Sequence, residues 1–540
     1  MMVILGIGAL LAAMIAHARL DPDESQHLHA AWLVAQGRVP YVDFWEHHMP
    51  LLHYGLAPVT RWLPDRPAIY FAGRAIMSVT AAGTLVIVYA LGRRLGPGVG
   101  GMAVVLLAVQ FRFLQHSIQV RPDGPALLTW LATTWMLVRW REHERPRQLL
   151  AAGFWLGVTA ALTPKAVFVG LGALAVVLVV PCHTGPGRRP VGRHIAWLAL
   201  GSALPLTALL GWLAATGGRP ALQRFAQDVI VANLYFPDFV KQTPVGPEGV
   251  GFGLLGLAGV AMALRAHGGR ALRHPLHGPL LIPLGVVSGI LVMPTTPAVY
   301  SYTWLPVIAV LSVYAGHALV VAVERLHAGG TTRRIALVAL IVITALVVPL
   351  AAVGVLALPP NRDNDADIGR MNRLLAYACP GEAVVDAGPI VVFRPTAFRY
   401  PSLVSGLRKW IARGVIPSEA LVDDLWRARA PVGVFDSRLG KLGEPVTALI
   451  ARYYLHEPDG LLVAGASLLL REGVGETGVD LFVAGRYEIT ATPGTRVIID
   501  GTAPGSPVVW LYAGHHRIAW SGPPGTTLRL KILPCAERRR

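Results

Sequence analysis

The first two thirds of this 540-residue chain are patterned as long apolar runs, without the alternation of a half-buried strand. A bilayer core about 30 Å thick takes roughly 20 apolar residues per helix. Runs near that length fall at 2–17, 68–91, 97–114, 124–139, 149–164, 166–182, 195–216, 250–264, 279–293, 300–323 and 335–358, predicting about eleven transmembrane helices. Only Thr163-Pro164-Lys165 separates the fifth run from the sixth, as in a tight hairpin. The first run ends in Ala16-His17-Ala18, which resembles a signal-peptidase site, but no Lys or Arg precedes it, so retention is expected.

The pattern changes at Leu358-Pro359-Pro360. Residues 359–475 combine amphipathic stretches with two short apolar strands that end in Asp, Ala383–Asp386 and Val432–Asp436, around a helical stretch near Pro417–Arg429. This predicts a small α/β domain. Residues 476–540 carry short strands broken by Gly and Pro, at Gly485–Ile489, Arg496–Gly501, Val508–Tyr512, His516–Trp520 and Leu528–Ile532. Turn signals at that interval predict a small β-sandwich. The expected organisation is a membrane domain over 1–358 with an outer loop at 18–67, then the two tail domains.

Composition agrees with a polytopic α-helical membrane protein: 54% of residues are hydrophobic, 15% are charged, and mean hydropathy is +0.51. Soluble domains carry about 25% charged residues. A net charge of +17 would by itself suggest nucleic acid, but its distribution says otherwise. Alternate connections between the apolar runs hold fifteen arginines and three acids, whereas the opposite ones hold ten carboxylates. By the positive-inside rule the amino terminus is cytoplasmic, and the long loops and both tail domains are extracytoplasmic. The excess charge then faces anionic inner-leaflet lipid, and no nucleic-acid partner is expected. Three cysteines exclude a disulfide framework or a four-cysteine zinc site, although a bond between Cys379 and Cys535 is expected on the oxidising side.

Candidate chemistry concentrates in the first outer loop. Asp21-Pro22-Asp23-Glu24 opens a helix that runs to Gln36 and ends at Gly37, with Asp23 the expected cap. Gly37-Arg38-Val39-Pro40-Tyr41 and Asp43-Phe44-Trp45-Glu46-His47-His48-Met49-Pro50-Leu51 follow, dense in histidine, acid and aromatic residues. Such a loop suits a polar cleft at a membrane surface.

These motifs, with Arg74, Leu91-Gly92-Arg93-Arg94-Leu95, Arg121-Pro122-Asp123, Lys165 and Tyr302-Thr303-Trp304-Leu305-Pro306, resemble the C-fold membrane glycosyltransferases. The nearest branch is glycosyltransferase family 39 with its bacterial relatives, the protein mannosyltransferases and lipid A aminoarabinose transferases. The resemblance covers most of residues 18–180 and implies transfer of a sugar from a polyprenyl phosphate to an acceptor hydroxyl on glycan, lipid or protein. It makes Asp23 the general base with Glu24 beside it, and Asp123 a second acid. Arg74, Arg121, Lys165, His47, His48 and Tyr302 are then expected to bind substrate. His27 and His48-Met49-Pro50-Leu51 depart from the aminoarabinose branch, so its donor and acceptor do not carry over.

Each candidate also has a plainer role. Arg74 and Lys165 suit interface anchoring, and Asp123 suits a helix cap. No cofactor is required; a divalent cation on His47, His48, Asp23 and Glu24 is the alternative. A transporter or flippase of lipid-linked glycans is the competing function, but no inverted repeat is visible.

Overall fold

A computed structural model describes residues 2–179, 191–231, 247–296, 299–328, 362–388, 390–403 and 405–539. They form two compact units. One comprises Met1–Arg19, His47–Val59 and Tyr70–Asn361, the other Leu20–Glu46, Thr60–Ile69 and Arg362–Arg540.

The helices of the amino-terminal two thirds are α1 (Met2–His17), α2 (Pro22–Ala35), α3 (Leu51–Trp62), α4 (Ala68–Arg93), α5 (Val99–Ala108), α6 (Phe111–Ile118), α7 (Asp123–His143), α8 (Pro146–Leu162), α9 (Ala166–Val179), α10 (Val191–Phe225), α11 (Pro247–His267), α12 (His277–Val292) and α13 (Leu305–Ala328). Ten of the eleven predicted runs fall on these helices, and the run at 335–358 lies outside the described residues. By length and apolar content, however, only four described helices are able to cross a membrane, or five if α5 and α6 are one span. Those two are bent by 71°, where Gln110 and Arg112 interrupt an apolar run expected to be straight. α1, α9 and α12 are apolar but short, and α7 ends in Arg139-Trp140-Arg141-Glu142-His143. The expected count of about eleven spans is therefore not reproduced among the described residues.

Lipid tails are as apolar as leucine, so membrane helices associate through close backbone packing at small residues. The α8–α10 crossing shows this. A Cβ on Gly153 would meet the Leu198 carbonyl, one on Gly157 the Ser202 carbonyl, and one on Gly201 the Leu150 carbonyl. In the same way Gly92 and Gly100 bring α4 onto α5, and Gly259 admits the Tyr314 backbone between α11 and α13.

Three of the arginine-rich connections meet at one end of this bundle. Arg94, just past α4, pairs with Glu142 near the end of α7 and lies 4.8 Å from the Trp135 ring. Arg141 donates to the Arg273 carbonyl at 3.3 Å. The grouping of 92–94, 139–147 and 265–273 on one side thus has a direct geometric counterpart.

The second unit is built on a sheet of seven strands. These are β1 (Val384–Val385), β2 (Val432–Val434), β3 (Tyr454–His456), β4 (Leu461–Leu470), then, after β5 (Val474–Leu481), β6 (Gly485–Ala491), and, after β7 (Arg496–Ile499), β8 (Val508–Leu511); β9 (Gly514–Ser521) precedes the last, β10 (Thr526–Ile532). Their order is β1-β2-β4-β10-β6-β8, with β3 also on β4, while β5-β9-β7 form a second sheet. β1 and β2 are parallel, as expected of an α/β segment. The long apolar strand β4 takes β2 and β3 along its first half and β10 along its second, pairing Leu470 with Thr526 and Gly465 with Lys531. One sheet therefore runs through both tail segments, across residue 475. The expected disulfide is present: Cys379 and Cys535 are bonded across 156 residues with Cα atoms 5.1 Å apart. Native disulfides of this kind stabilise by roughly 2–5 kcal/mol.

Much of the loop at 18–67 belongs to this unit. The Leu20 amide donates to Asn364 Oδ1 at 2.8 Å, His29 Nδ1 donates to the Val392 carbonyl at 2.9 Å, and the Trp45 amide donates to the Arg399 carbonyl at 3.2 Å. Arg394 holds Asp65 by two bonds, at 2.6 and 3.3 Å. Burial holds the His29 imidazole down at about 4, against the smaller pull of its bond to Val392 and of Glu46, so it packs as the neutral ring.

Asp386, which follows β1, is the converse case. Burial raises its carboxyl to about 7, opposed by amide bonds from Gly388 and Ile390 and reinforced by Asp436. A raised folded pKa means a contribution to stability that is complete below the unfolded value near 4 and is lost as pH rises through about 7. His29 works in the opposite sense, losing stability as pH falls from about 6.5 towards 4. Comparison with Asp386→Asn isolates the first effect: relative to the parent, the variant should gain thermal stability between pH 5 and pH 8, and a difference independent of pH would refute it. In the membrane unit, Gly201→Leu should lower the melting temperature in detergent sharply, because no side-chain rotation relieves a clash with the Leu150 carbonyl; an unchanged melting curve would disprove the close crossing.

Candidate functional site

The residues expected to carry chemistry fall into both units, and each group is described on its own frame. In the membrane unit, Asp123 is the first residue of α7 and its side chain is 8% exposed. Its Oδ1 accepts from Lys165 Nζ at 3.3 Å, and its Oδ2 from Arg121 Nε at 3.5 Å. Pro122 and the α7 start fix Arg121 beside Asp123, and the break between α8 and α9 turns Lys165 towards them. Both cations also lie 4.1 Å from the centroid of the Tyr302 ring. A cation over a phenol ring gains about 0.5–2 kcal/mol, more when desolvated.

Tyr302 is itself held. Its ring stacks on Tyr300 at 5.3 Å and meets the edge of His116 at 5.5 Å. His116 bonds Gln119 Oε1 through Nδ1 and Ser301 Oγ through Nε2, both at 2.9 Å. His116, Gln119, Ser301 and Tyr300 were not among the residues singled out from sequence. The signals that point to them are the 116–119 spacing just before Arg121 and the Tyr-Ser-Tyr triplet just before α13. Asp123, Lys165 and Tyr302 edge a cavity of about 50 Å³ whose remaining wall is largely apolar, including Trp130, Phe168 and Leu305. The cluster thus sets charged groups at the polar edge of a small cavity whose other walls are largely apolar. The 21-residue α7 separates this cluster from the Arg94–Glu142 pair at its other end, by about 30 Å at the helical rise.

Arg74 has a different setting. It is fully buried, and its guanidinium donates to the carbonyls of Ile15 and Ala18 from Nη1, at 3.0 and 2.8 Å, and of Arg19 from Nη2 at 2.8 Å. These are carbonyls left open where α1 ends. Arg74 is thus a C-terminal cap for α1, and snorkelling to an interface is not what the geometry shows. His47 and His48 lie at half-buried positions with ring centroids 3.9 Å apart.

In the second unit the loop acids sit at the start of α2. The cap is Asp21 and not Asp23: Asp21 Oδ1 accepts from the Asp23 amide at 2.9 Å, and Glu24 Oε2 accepts from the Asp21 amide at 3.0 Å. Pro22 occupies the first helical position, where no amide donor is needed, and this moves the cap two residues upstream of the expected one. Glu24 is fully buried as the second half of the capping box. Asp23 is left half-buried in the first turn, where the helix dipole favours a carboxylate. Further along α2, Gln26 donates to Glu46 Oε1 at 3.3 Å.

Residues 67–212 match the family model described as dolichyl-phosphate-mannose-protein mannosyltransferase. No match appears among curated protein sequences. Among solved structures, the ArnT of Cupriavidus metallidurans, in its apo state, superposes with a TM-score of 0.56 at 14% identity, over 86% of this chain and 97% of that one. The same protein bound to undecaprenyl phosphate gives 0.56 at 14% identity, over 86% and 96%. The apo oligosaccharyltransferase of Archaeoglobus fulgidus gives 0.50 at 13%, over 86% and 74%. The chain has the membrane glycosyltransferase C-fold. Within that fold the matched segment runs from α4 into α10 and includes Arg74, Arg121, Asp123 and Lys165.

Replacing Arg74 by Met should leave α1 carbonyls without donors and cost about 2–5 kcal/mol, as expected for a buried charged donor. Thermal unfolding in detergent measures it, and a loss below about 0.5 kcal/mol would show that the cap is dispensable.

Proposed function

We propose that this integral membrane protein transfers a sugar from a polyprenyl-phosphate donor to an acceptor hydroxyl at the extracytoplasmic side of the membrane. The observation that carries this reading is the Asp123 carboxylate bonded to both Lys165 and Arg121 at the edge of an apolar slot, in a chain with the glycosyltransferase C-fold. Similarity to an ArnT bound to undecaprenyl phosphate supports a lipid-phosphate donor.

In this mechanism the donor phosphate meets Lys165 and Arg121. As the bond from the sugar's anomeric carbon to the phosphate oxygen breaks, negative charge gathers on the departing phosphate, and positioned cations stabilise it in a site that excludes water. Asp123 accepts from both cations and fixes their direction, so its role is to position them. The acceptor hydroxyl is a weak nucleophile and needs its proton removed as it attacks. Asp23 is assigned that proton, as the half-buried carboxylate in the first turn of α2, and Glu24 closes the capping box beside it. Glu24 then acts by holding the helix start. Tyr302 presents its ring to both cations and keeps them from collapsing onto Asp123 alone. The reading requires no metal, and His47 and His48 are assigned to substrate.

Transfer of radiolabelled sugar from a polyprenyl-phosphate donor to an added acceptor tests these roles. Asp23→Asn should insert and fold normally but lose at least 100-fold in rate, within the range of general base catalysis. Lys165→Met should lose a comparable factor, with weaker donor binding. EDTA should leave the parent rate unchanged; loss restored by a divalent cation would instead assign a metal to the histidine pair. Full activity in Asp23→Asn would overturn the choice of base.

A further inference from the structure

Two partners in the cation cluster sit on short pieces of chain with little regular structure of their own. Arg121 follows Gln119 and Val120, where α6 has ended and the backbone at Gln119 is extended. Tyr302 lies in a single 3₁₀ turn, Ser301–Trp304, ahead of α13. A turn of that length has few hydrogen bonds with which to hold a side chain in place. Pro122 and the start of α7 set Arg121 against Asp123, but they do not set it against Tyr302.

His116, buried in the last turn of α6, touches both pieces. Its Nδ1 lies 2.9 Å from Gln119 Oε1. An amide oxygen only accepts, so Nδ1 carries the proton, and Nε2 accepts from the Ser301 hydroxyl at 2.9 Å, across 185 residues. The imidazole also lies 5.5 Å from the Tyr302 ring and nearly perpendicular to it, at 79°. A neutral imidazole has one donor and one acceptor, and both are used on these neighbours. Tyr302 is among the described residues that line the cavity, and His116 is not. Any influence of His116 on a ligand therefore passes through Tyr302 and through Arg121, whose guanidinium lies 4.1 Å from the Tyr302 ring.

The geometry points to His116 as a positioning residue for the proposed donor site. One buried imidazole sets the Ser301–Trp304 turn against the segment from Gln119 to Arg121, and so fixes the spacing of Tyr302 and Arg121 before a lipid phosphate arrives. Electrostatic stabilisation by positioned cations depends on that spacing, and a misplacement of about 1 Å can cost about 100-fold in rate. The inference rests on the proposed donor reading of the cluster, so binding and transfer are measured separately.

Both measurements use the full-length protein in nanodiscs, with undecaprenyl phosphate as the binding probe. His116→Ala should weaken undecaprenyl phosphate about ten-fold and lower kcat about ten-fold or more, with the acceptor KM unchanged. His116→Gln, whose amide oxygen still accepts from Ser301, should recover part of both losses. Because the effect passes through Tyr302, the double variant His116→Ala/Tyr302→Ala should lose well under the product of the two single losses. A residue that only supported the fold would lower the melting temperature without changing kcat per folded molecule. Melting temperatures identify the folded variants, and if His116→Ala is not folded, Ser301→Ala takes its place throughout. Parent-like binding and kcat in the folded variants, or losses that multiply, would overturn the inference and leave the transferase reading standing. A parent that binds undecaprenyl phosphate in a His116-dependent way but transfers no sugar would refute the transferase reading and leave the role of His116 standing. A parent that neither binds nor transfers would overturn both.

Discussion

An ionised side chain inside a protein in hydrocarbon must find a partner within the fold, and the arrangement of this molecule follows from how that requirement is met. Desolvating a charge costs several kcal/mol even after relaxation, so each buried charge fixes the elements that supply its partners. Arg74 binds α4 to the end of α1 through three carbonyls. Asp123 binds the start of α7 to the α8–α9 break through Lys165. The first arrangement uses all its described bonds for structure. The second sets two cations and a carboxylate at the edge of an apolar-walled cavity, where the proposed donor phosphate would meet them.

The same requirement acts on the backbone. Helices that carry few polar side chains must approach closely to gain contact energy, and Gly153, Gly157 and Gly201 permit this between α8 and α10. Such close crossings make the bundle a rigid frame. A site with two cations on one tyrosine ring needs that rigidity, because its electrostatic effect depends on distances held before substrate arrives.

Outside the membrane unit the organising element is β4. It joins the parallel β1–β2 pair to the antiparallel strands that follow, and the Cys379–Cys535 bond closes the unit near its last residues. The segment from Leu20 to Glu46 packs on this unit through Asn364, Val392 and Arg399. The helix that bears Asp23 is therefore positioned by residues more than three hundred places away.

Periodicity and charge were enough to place most of the helices, to group 92–94, 139–147 and 265–273, and to locate seven of the ten described strands of the tail, because each of these depends on local apolar length or on residue type alone. The order of Arg121, Asp123 and Lys165 marked them as candidates, and their meeting with Tyr302 needed the fold, since 42 residues separate Asp123 from Lys165. Sequence assigned the cap of α2 to Asp23, one place past Pro22. The backbone put it on Asp21, because proline at the first helical position requires the cap before it. Apolar length suggested about eleven spans, but span length is settled by where helices break, and Gln110 or Gly218 breaks a helix only in a particular packing. The strand β4 went unnoticed in a run, Leu461–Leu470, that reads equally as a buried helix segment. Which charges would be partnered, and by what, was decided by tertiary structure alone, because a partner's cost and benefit depend on burial that no local pattern records.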